Sequence, residues 1–293
     1  MARFGRVLTA MVTPFLPDGG VDLEGAAALA SWLVEQGNDG LVVTGTTGEA
    51  SVLTDDEQVE VWRAVRAAVD VPLVAGSGTN DTRHAAELTA RAEAAGMDGV
   101  LVVTPYYNRP SQAGIEAHFR QVAAATRLPV LLYDIPVRTG RKISHEVLVR
   151  LAHEVPNIVG VKDAAGNPAE AARVIADTPD DFELYSGDDS LTLPLLAVGA
   201  VGVIGVCTHW AAGTMSAMIE AFERGDVARA RQLNARLIES YDFETGDATP
   251  NPIPAKAMLR ALGQPAGQCR LPMGDAPAGL EARALEVWKN LHG

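Results

Sequence analysis

Short runs of β-branched and aliphatic residues alternate along this chain with longer Ala-, Leu- and Glu-rich stretches whose apolar positions recur at helical spacing. The apolar runs are Val7–Val12, Leu41–Val43, Leu73–Ala75, Val100–Val103, Val130–Tyr133, Ile158–Val161, Glu183–Tyr185 and Val201–Val206. They fall roughly 25–30 residues apart, the interval of repeated βα units. Most are apolar throughout instead of alternating, as parallel strands buried on both faces require. Eight such strands close a barrel, so the predicted fold is α/β: a (β/α)8 TIM barrel with a C-terminal helical appendix.

The segments between carry helix signals. Thr54-Asp55-Asp56-Glu57 reads as a capping box opening an amphipathic helix that ends near Val69. Asp81, Ser111 and Ser144 are predicted N-caps, and Gly37 and Gly96 stand where a helix end wants a left-handed residue. After Ala211–Arg224, helical patterns continue near Val227–Ser240, Pro254–Leu262 and Ala278–Leu291. The expected organisation is a barrel over residues 1–225 and a helical extension over 226–293, packed as one structural domain.

Composition narrows the function. The 293 residues are 47% hydrophobic and carry a net charge of −13, which disfavours a nucleic acid or an anionic membrane surface as partner. Two cysteines, Cys207 and Cys269, form no disulfide framework or metal spacing, and Cys207 reads as a small buried hydrophobe. Arg3 and Arg6 precede an apolar stretch as in a signal peptide, but Pro14 and Asp18 cut it short without a small-residue cleavage site. A cytoplasmic protein is expected.

A barrel of this type places its active site at the C-terminal ends of its strands. Lys162 is the sharpest signal there. Only four lysines occur, against twenty arginines, and this one directly follows the apolar run Ile158–Val161. Burial would disfavour its ammonium and make it a nucleophile. The alternative is a lysine snorkelling outward to pair with Asp163 or Glu170. Tyr133, ending the neighbouring fifth strand, is placed either to move protons at Lys162 or simply to close the top of the core. Gly45-Thr46-Thr47-Gly48-Glu49 offers hydroxyls and N–H groups to a carboxylate, and Arg138 could clamp a second carboxylate or stand solvated. Asp188 and Asp189 could hold a divalent ion, but no histidine pair supports one, and capping the helix after the seventh strand is the simpler role. Gly76-Ser77-Gly78 is too weak to indicate a dinucleotide. No metal or nucleotide cofactor is expected.

In combination these motifs resemble one family over nearly the whole chain. Gly45-Thr46-Thr47-Gly48-Glu49, Val103-Thr104-Pro105-Tyr106-Tyr107-Asn108, Tyr133-Asp134-Ile135-Pro136, Gly160-Val161-Lys162-Asp163, Ser186-Gly187-Asp188-Asp189, Pro250-Asn251-Pro252-Ile253-Pro254 and Arg270-Leu271-Pro272-Met273 are similar to the dihydrodipicolinate synthase branch of the pyruvate-dependent lyases. That superfamily also contains N-acetylneuraminate lyase. The resemblance implies that Lys162 forms a Schiff base with pyruvate, without a metal or other cofactor. It implies that Tyr133 moves protons, linked through the Thr46 hydroxyl to Tyr107 from a neighbouring subunit of a homo-oligomer, a dimer of dimers. Thr47 would hold the pyruvate carboxylate mainly through its backbone, and the backbones of Gly187 and Ile204 would line the nucleophile's pocket. Arg138 would bind the carboxylate of L-aspartate 4-semialdehyde. The implied product is 4-hydroxy-tetrahydrodipicolinate, on the route to diaminopimelate and lysine.

Two departures from the family pattern stand out. Gly205 takes a place where relatives often carry Ser, and Gln58 and His84 replace the His and Glu of lysine-inhibited bacterial relatives. The resemblance therefore implies weak or absent feedback by L-lysine, unless Glu49 or Asp55 substitutes for the lost carboxylate. Two other functions compete with the synthase. A sibling pyruvate-dependent aldolase would act on a 2-keto-3-deoxy sugar acid or 4-hydroxy-2-oxoglutarate. A non-catalytic barrel would sense a keto acid; Lys162, Tyr133, Thr46 and Tyr107, all present, argue against it.

Overall fold

The computed structural model describes residues 2–293. Eight parallel strands close into a barrel in sequence order: β1 Val7–Ala10, β2 Gly40–Val43, β3 Leu73–Gly76, β4 Gly99–Val103, β5 Val130–Asp134, β6 Ile158–Asp163, β7 Glu183–Ser186 and β8 Gly202–Gly205, with β8 paired back onto β1. All eight predicted strands are present. Two apolar layers hold them, as strands buried on both faces require. Leu8, Val42, Val74, Leu101, Leu131 and Ile204 fill the interior, while a larger cluster including Leu41, Leu73 and Val130 packs outward against the helices.

Several strand limits differ from the sequence reading, each for a local reason. β6 runs on through Lys162 and Asp163, which pair with Tyr133 and Asp134 of β5. β8 stops at Gly205 because the next N–H, that of Val206, donates to the Asp189 carboxylate at 2.9 Å. A four-residue helix, Pro136–Thr139, was not foreseen; it follows β5 directly and carries Arg138.

The helix caps follow the sequence closely. Thr54 and Glu57 form a reciprocal capping box at the start of the helix Asp55–Ala68. Asp81, Ser111 and Ser144 each accept a first-turn N–H, and Gly37 and Gly96 have φ of 98° and 80°. Of the two predicted caps after β7, Asp188 accepts from Ser190 N at 3.0 Å, whereas Asp189 is buried and caps nothing. Beyond Thr208–Glu223 come helices Val227–Phe243, Ile253–Ala261 and Leu280–His292. No helix among the described residues is long and apolar enough to cross a membrane.

Candidate active site

Because Tyr133 and Lys162 are register partners on β5 and β6, their side chains enter the barrel mouth side by side. Lys162 Nζ stands 4.5 Å from the centroid of the Tyr133 ring, and both residues are buried. The lysine stem packs on Gly187 at the end of β7; a Cβ there would lie 2.9 Å from Lys162 Cγ, so glycine makes the room. The outward-snorkelling alternative does not occur. Glu170 pairs with Lys142 at 2.8 Å, and Asp163 accepts from Ala165 N at 2.8 Å. Among the described residues no carboxylate lies within 4.0 Å of Lys162. Burial lowers its pKa to about 8, partly opposed by the nearby charges of Asp189 and Glu244. About a tenth of the amine is then neutral at pH 7, against less than ~0.1% for a free lysine. Burial also pushes the Tyr133 hydroxyl above its usual range, keeping it a phenol that can hand a proton on.

The sequence reading missed that a second lysine is buried. Lys256 is sealed from solvent over the Phe15 ring, paired with Glu49 at 2.6 Å and donating to Gln268 O at 3.0 Å. Glu49 is therefore part of the framework under the loop, not a group facing a ligand. The only signal was the setting of Lys256 among apolar neighbours, Ala255, Ala257 and Met258.

Between Thr44 and Glu49, both with left-handed φ (54° and 57°), the chain turns tightly at the end of β2. Among the described residues, neither the Thr46 nor the Thr47 N–H donates to a backbone carbonyl, so both lack a main-chain partner. The Thr46 side chain is exposed. Thr47 is buried, its hydroxyl accepting from Asn251 Nδ2 at 2.8 Å. The carbonyl of Asn251 in turn receives Arg138 Nη2 at 3.4 Å, and Arg138 has no carboxylate partner among the described residues. Asn251, singled out only within its motif, thus links the threonine turn to the arginine.

A cavity of 380 Å³ opens at this mouth, walled by Thr44, Thr46, Tyr106, Tyr133, Arg138 and His84 among others. Lys162, Thr47, Gly187 and Ile204 lie outside that lining, and the Tyr133 ring that stands 4.5 Å from Lys162 is part of its wall. The Gly187 N–H is occupied by Asp163 O at 2.7 Å, and Ile204 is fully buried in β8. Tyr107 stands apart from the cavity, 89% exposed on a backbone with φ of 72°.

A buried, unpaired amine against a phenol suits attack on a carbonyl, and a barrel with that pair at its mouth is of the lyase class that works this way. A model of the dihydrodipicolinate synthetase family matches residues 3–285, and the chain belongs to that family. It is 56% identical to the 4-hydroxy-tetrahydrodipicolinate synthase of Acidothermus cellulolyticus over 97% of this chain and 92% of that one. It is 50% identical to the synthase of Moorella thermoacetica over 94% of each. Among solved structures, the dihydrodipicolinate synthase of Cyanidioschyzon merolae with lysine bound aligns over 100% of this chain and 99% of its own, at 43% identity and a TM-score of 0.96.

Proposed function

We infer that this chain condenses pyruvate with L-aspartate 4-semialdehyde to 4-hydroxy-tetrahydrodipicolinate, in diaminopimelate and lysine biosynthesis, with Lys162 as the nucleophile. The Lys162 amine adds to the pyruvate ketone and water leaves, giving a protonated imine. That cation draws electrons from the methyl group, which loses a proton and becomes the enamine carbon that attacks the aldehyde. The amino group of the second substrate then adds to the imine carbon and displaces Lys162, closing the ring. Tyr133 carries the protons of these steps, and the Thr46 and Thr47 N–H groups hold the pyruvate carboxylate. The backbones of Gly187 and Ile204 lie along the approach to Lys162, and unpaired Arg138 takes the carboxylate of the aldehyde substrate. No metal or nucleotide is needed, because the imine itself is the electron sink.

The observation that carries this reading is the unpaired, buried Lys162 beside Tyr133, in a chain that matches its family almost from end to end. Free Arg138 favours the semialdehyde over the sugar-acid aldehydes of sibling aldolases. A coupled assay with pyruvate and each aldehyde in turn tests it: turnover with L-aspartate 4-semialdehyde should dominate, and faster turnover with a sugar-derived aldehyde would reassign the chain to a sibling activity.

Tyr107 completes the reading from outside the chain. A bulky residue holding a left-handed φ while almost wholly exposed is conformationally costly without a partner. Its place is the mouth of a neighbouring subunit, where it joins Thr46 and Tyr133, and the working assembly is a dimer of dimers. Residues 1–225 and 226–293 act as one unit, since Lys256 and Arg270 reach back to Glu49 and Glu57. Two free, buried cysteines suit the reducing cytoplasm.

A further inference from the structure

Near Lys162, and outside the cavity lining, lie two carboxyl groups that the mechanism above does not use. Asp189, 1% exposed, enters from the turn after β7, and Glu244, 8% exposed, comes from the end of the helix Val227–Phe243. One oxygen of each and the Cys207 sulfur lie within 4.8 Å of one another. The cluster is closely built. The Asp189 carboxylate accepts the Cys207 S–H at 3.0 Å and the Val206 N–H at 2.9 Å, and Glu244 accepts the Cys207 N–H at 3.0 Å. Gly205 gives Asp189 its place: a Cβ there would stand 2.4 Å from Asp189 Oδ1. The space that this departure from the family pattern leaves open is thus filled by a carboxylate oxygen.

We propose that Asp189 and Glu244 share one proton, Glu244 holding it and Asp189 carrying the single negative charge, and that this acid pair is a positioning element that sets the charge of Lys162 and of the imine formed on it. Two buried carboxylates at this separation do not both ionise. Asp189 keeps the charge because it has two donors, the Val206 N–H and the Cys207 S–H, while Glu244 has only the Cys207 N–H. Burial raises both acids, and Glu244 is raised further by Asp189. The charged or titratable groups acting on this cluster are Lys162 and Tyr133 from the barrel, Asp188 from the turn after β7, Cys207 after β8 and Tyr241 from the helix that ends at Glu244, while Arg138, on the short helix after β5, acts on Lys162 and Tyr133. A count of one charge matches the chemistry. With two charges the Lys162 ammonium would be held too firmly to become a nucleophile; with none the buried imine cation would lack a counter-charge.

The inference rests on Lys162 being the imine-forming lysine, and the test separates the two. The rate of borohydride trapping with pyruvate is followed against pH in the parent protein, in Glu244→Gln and in the double variant Asp189→Asn/Glu244→Gln. In the single variant the amide can still donate to Asp189; in the double variant neither side chain can be charged. Removing the negative charge lowers the Lys162 pKa, so the acid limb of the double variant should move down by about one pH unit, a tenfold gain in neutral amine at low pH. The single variant should move less than half as far. Equal limbs in all three proteins, with trapping intact on Lys162, overturn the acid pair alone; no trapping on Lys162 in the parent overturns the reading beneath it. Should the double variant not fold, infrared spectroscopy decides. The parent should show a protonated carboxyl stretch that Glu244→Gln abolishes, and an unchanged spectrum contradicts the shared proton.

Discussion

Glu49 Oε1 lies 2.6 Å from Lys256 Nζ, and neither side chain is more than 2% exposed. This ion pair joins the threonine turn after β2 to the helix Ile253–Ala261, so the C-terminal helices help to fix the turn that faces the cavity. Removing one member leaves an uncompensated buried charge, which typically costs 3–5 kcal/mol. Glu49→Ala should therefore lower unfolding stability by about that much in urea titrations, and the double variant Glu49→Ala/Lys256→Met should recover a large part. A loss below about 1 kcal/mol in the single variant would show that the pair is not needed.

A second clamp nearby predicts a pH dependence. Arg270 holds the Glu57 carboxylate at 2.6 and 3.1 Å, and this contact, with the capping N–H of Thr54, lowers the Glu57 pKa from 4.5 to about 2. A carboxylate whose pKa is depressed on folding stabilises the fold above its unfolded value and loses that contribution as pH falls through the folded one. The parent should thus be more stable than Glu57→Gln at pH 6, with the gap closing between about pH 4.5 and about pH 2. A gap independent of pH would assign the effect to packing alone.

Arg138 carries the substrate-reading claim. Replacing it with Ala should raise the KM for L-aspartate 4-semialdehyde by roughly ten- to a hundredfold, the loss of a charge-assisted contact of about 1.5–3 kcal/mol. The KM for pyruvate should change far less. Steady-state kinetics with each substrate varied in turn checks this, and an equal rise for both would mean that Arg138 maintains the turn through Asn251 and reads neither substrate.

Regulation by L-lysine follows from Gln58 and His84 standing where lysine-inhibited relatives carry His and Glu. The two acids that could replace a missing carboxylate are both engaged: Glu49 with Lys256, and Asp55 with His84 Nε2 at 2.8 Å. A diamino ligand would leave a buried ammonium without a counter-charge. Activity should persist in millimolar L-lysine, whereas half-inhibition below a millimolar would show that Asp55 leaves His84 for the ligand.

Much of this was readable in the sequence because the physics involved is local. Strands buried on both faces must be apolar runs, so all eight appeared, and caps such as Thr54 and Ser144 satisfy helix ends within three residues. Lys162 stood out because a charge closing an apolar strand has few explanations. The contacts that were not legible join distant parts of the chain. Lys256 looked like any helical lysine until Glu49, 207 positions earlier, was found against it. Asp189 reads with Asp188 as a cap because no histidine pair supports a divalent ion there, and only the fold shows that Gly205 opens a space which Asp189 fills. Glu244 lies in a polar stretch where nothing local marks it as buried.

The central claim is that Lys162, alone among the four lysines, reacts with pyruvate. Treating the protein with pyruvate and borohydride, then mapping the modified peptide by mass spectrometry, tests it directly. One reduced adduct per chain on Lys162, with loss of activity, is the predicted result. An adduct on Lys142, Lys256 or Lys289 in its place, or full activity after reduction, would contradict it.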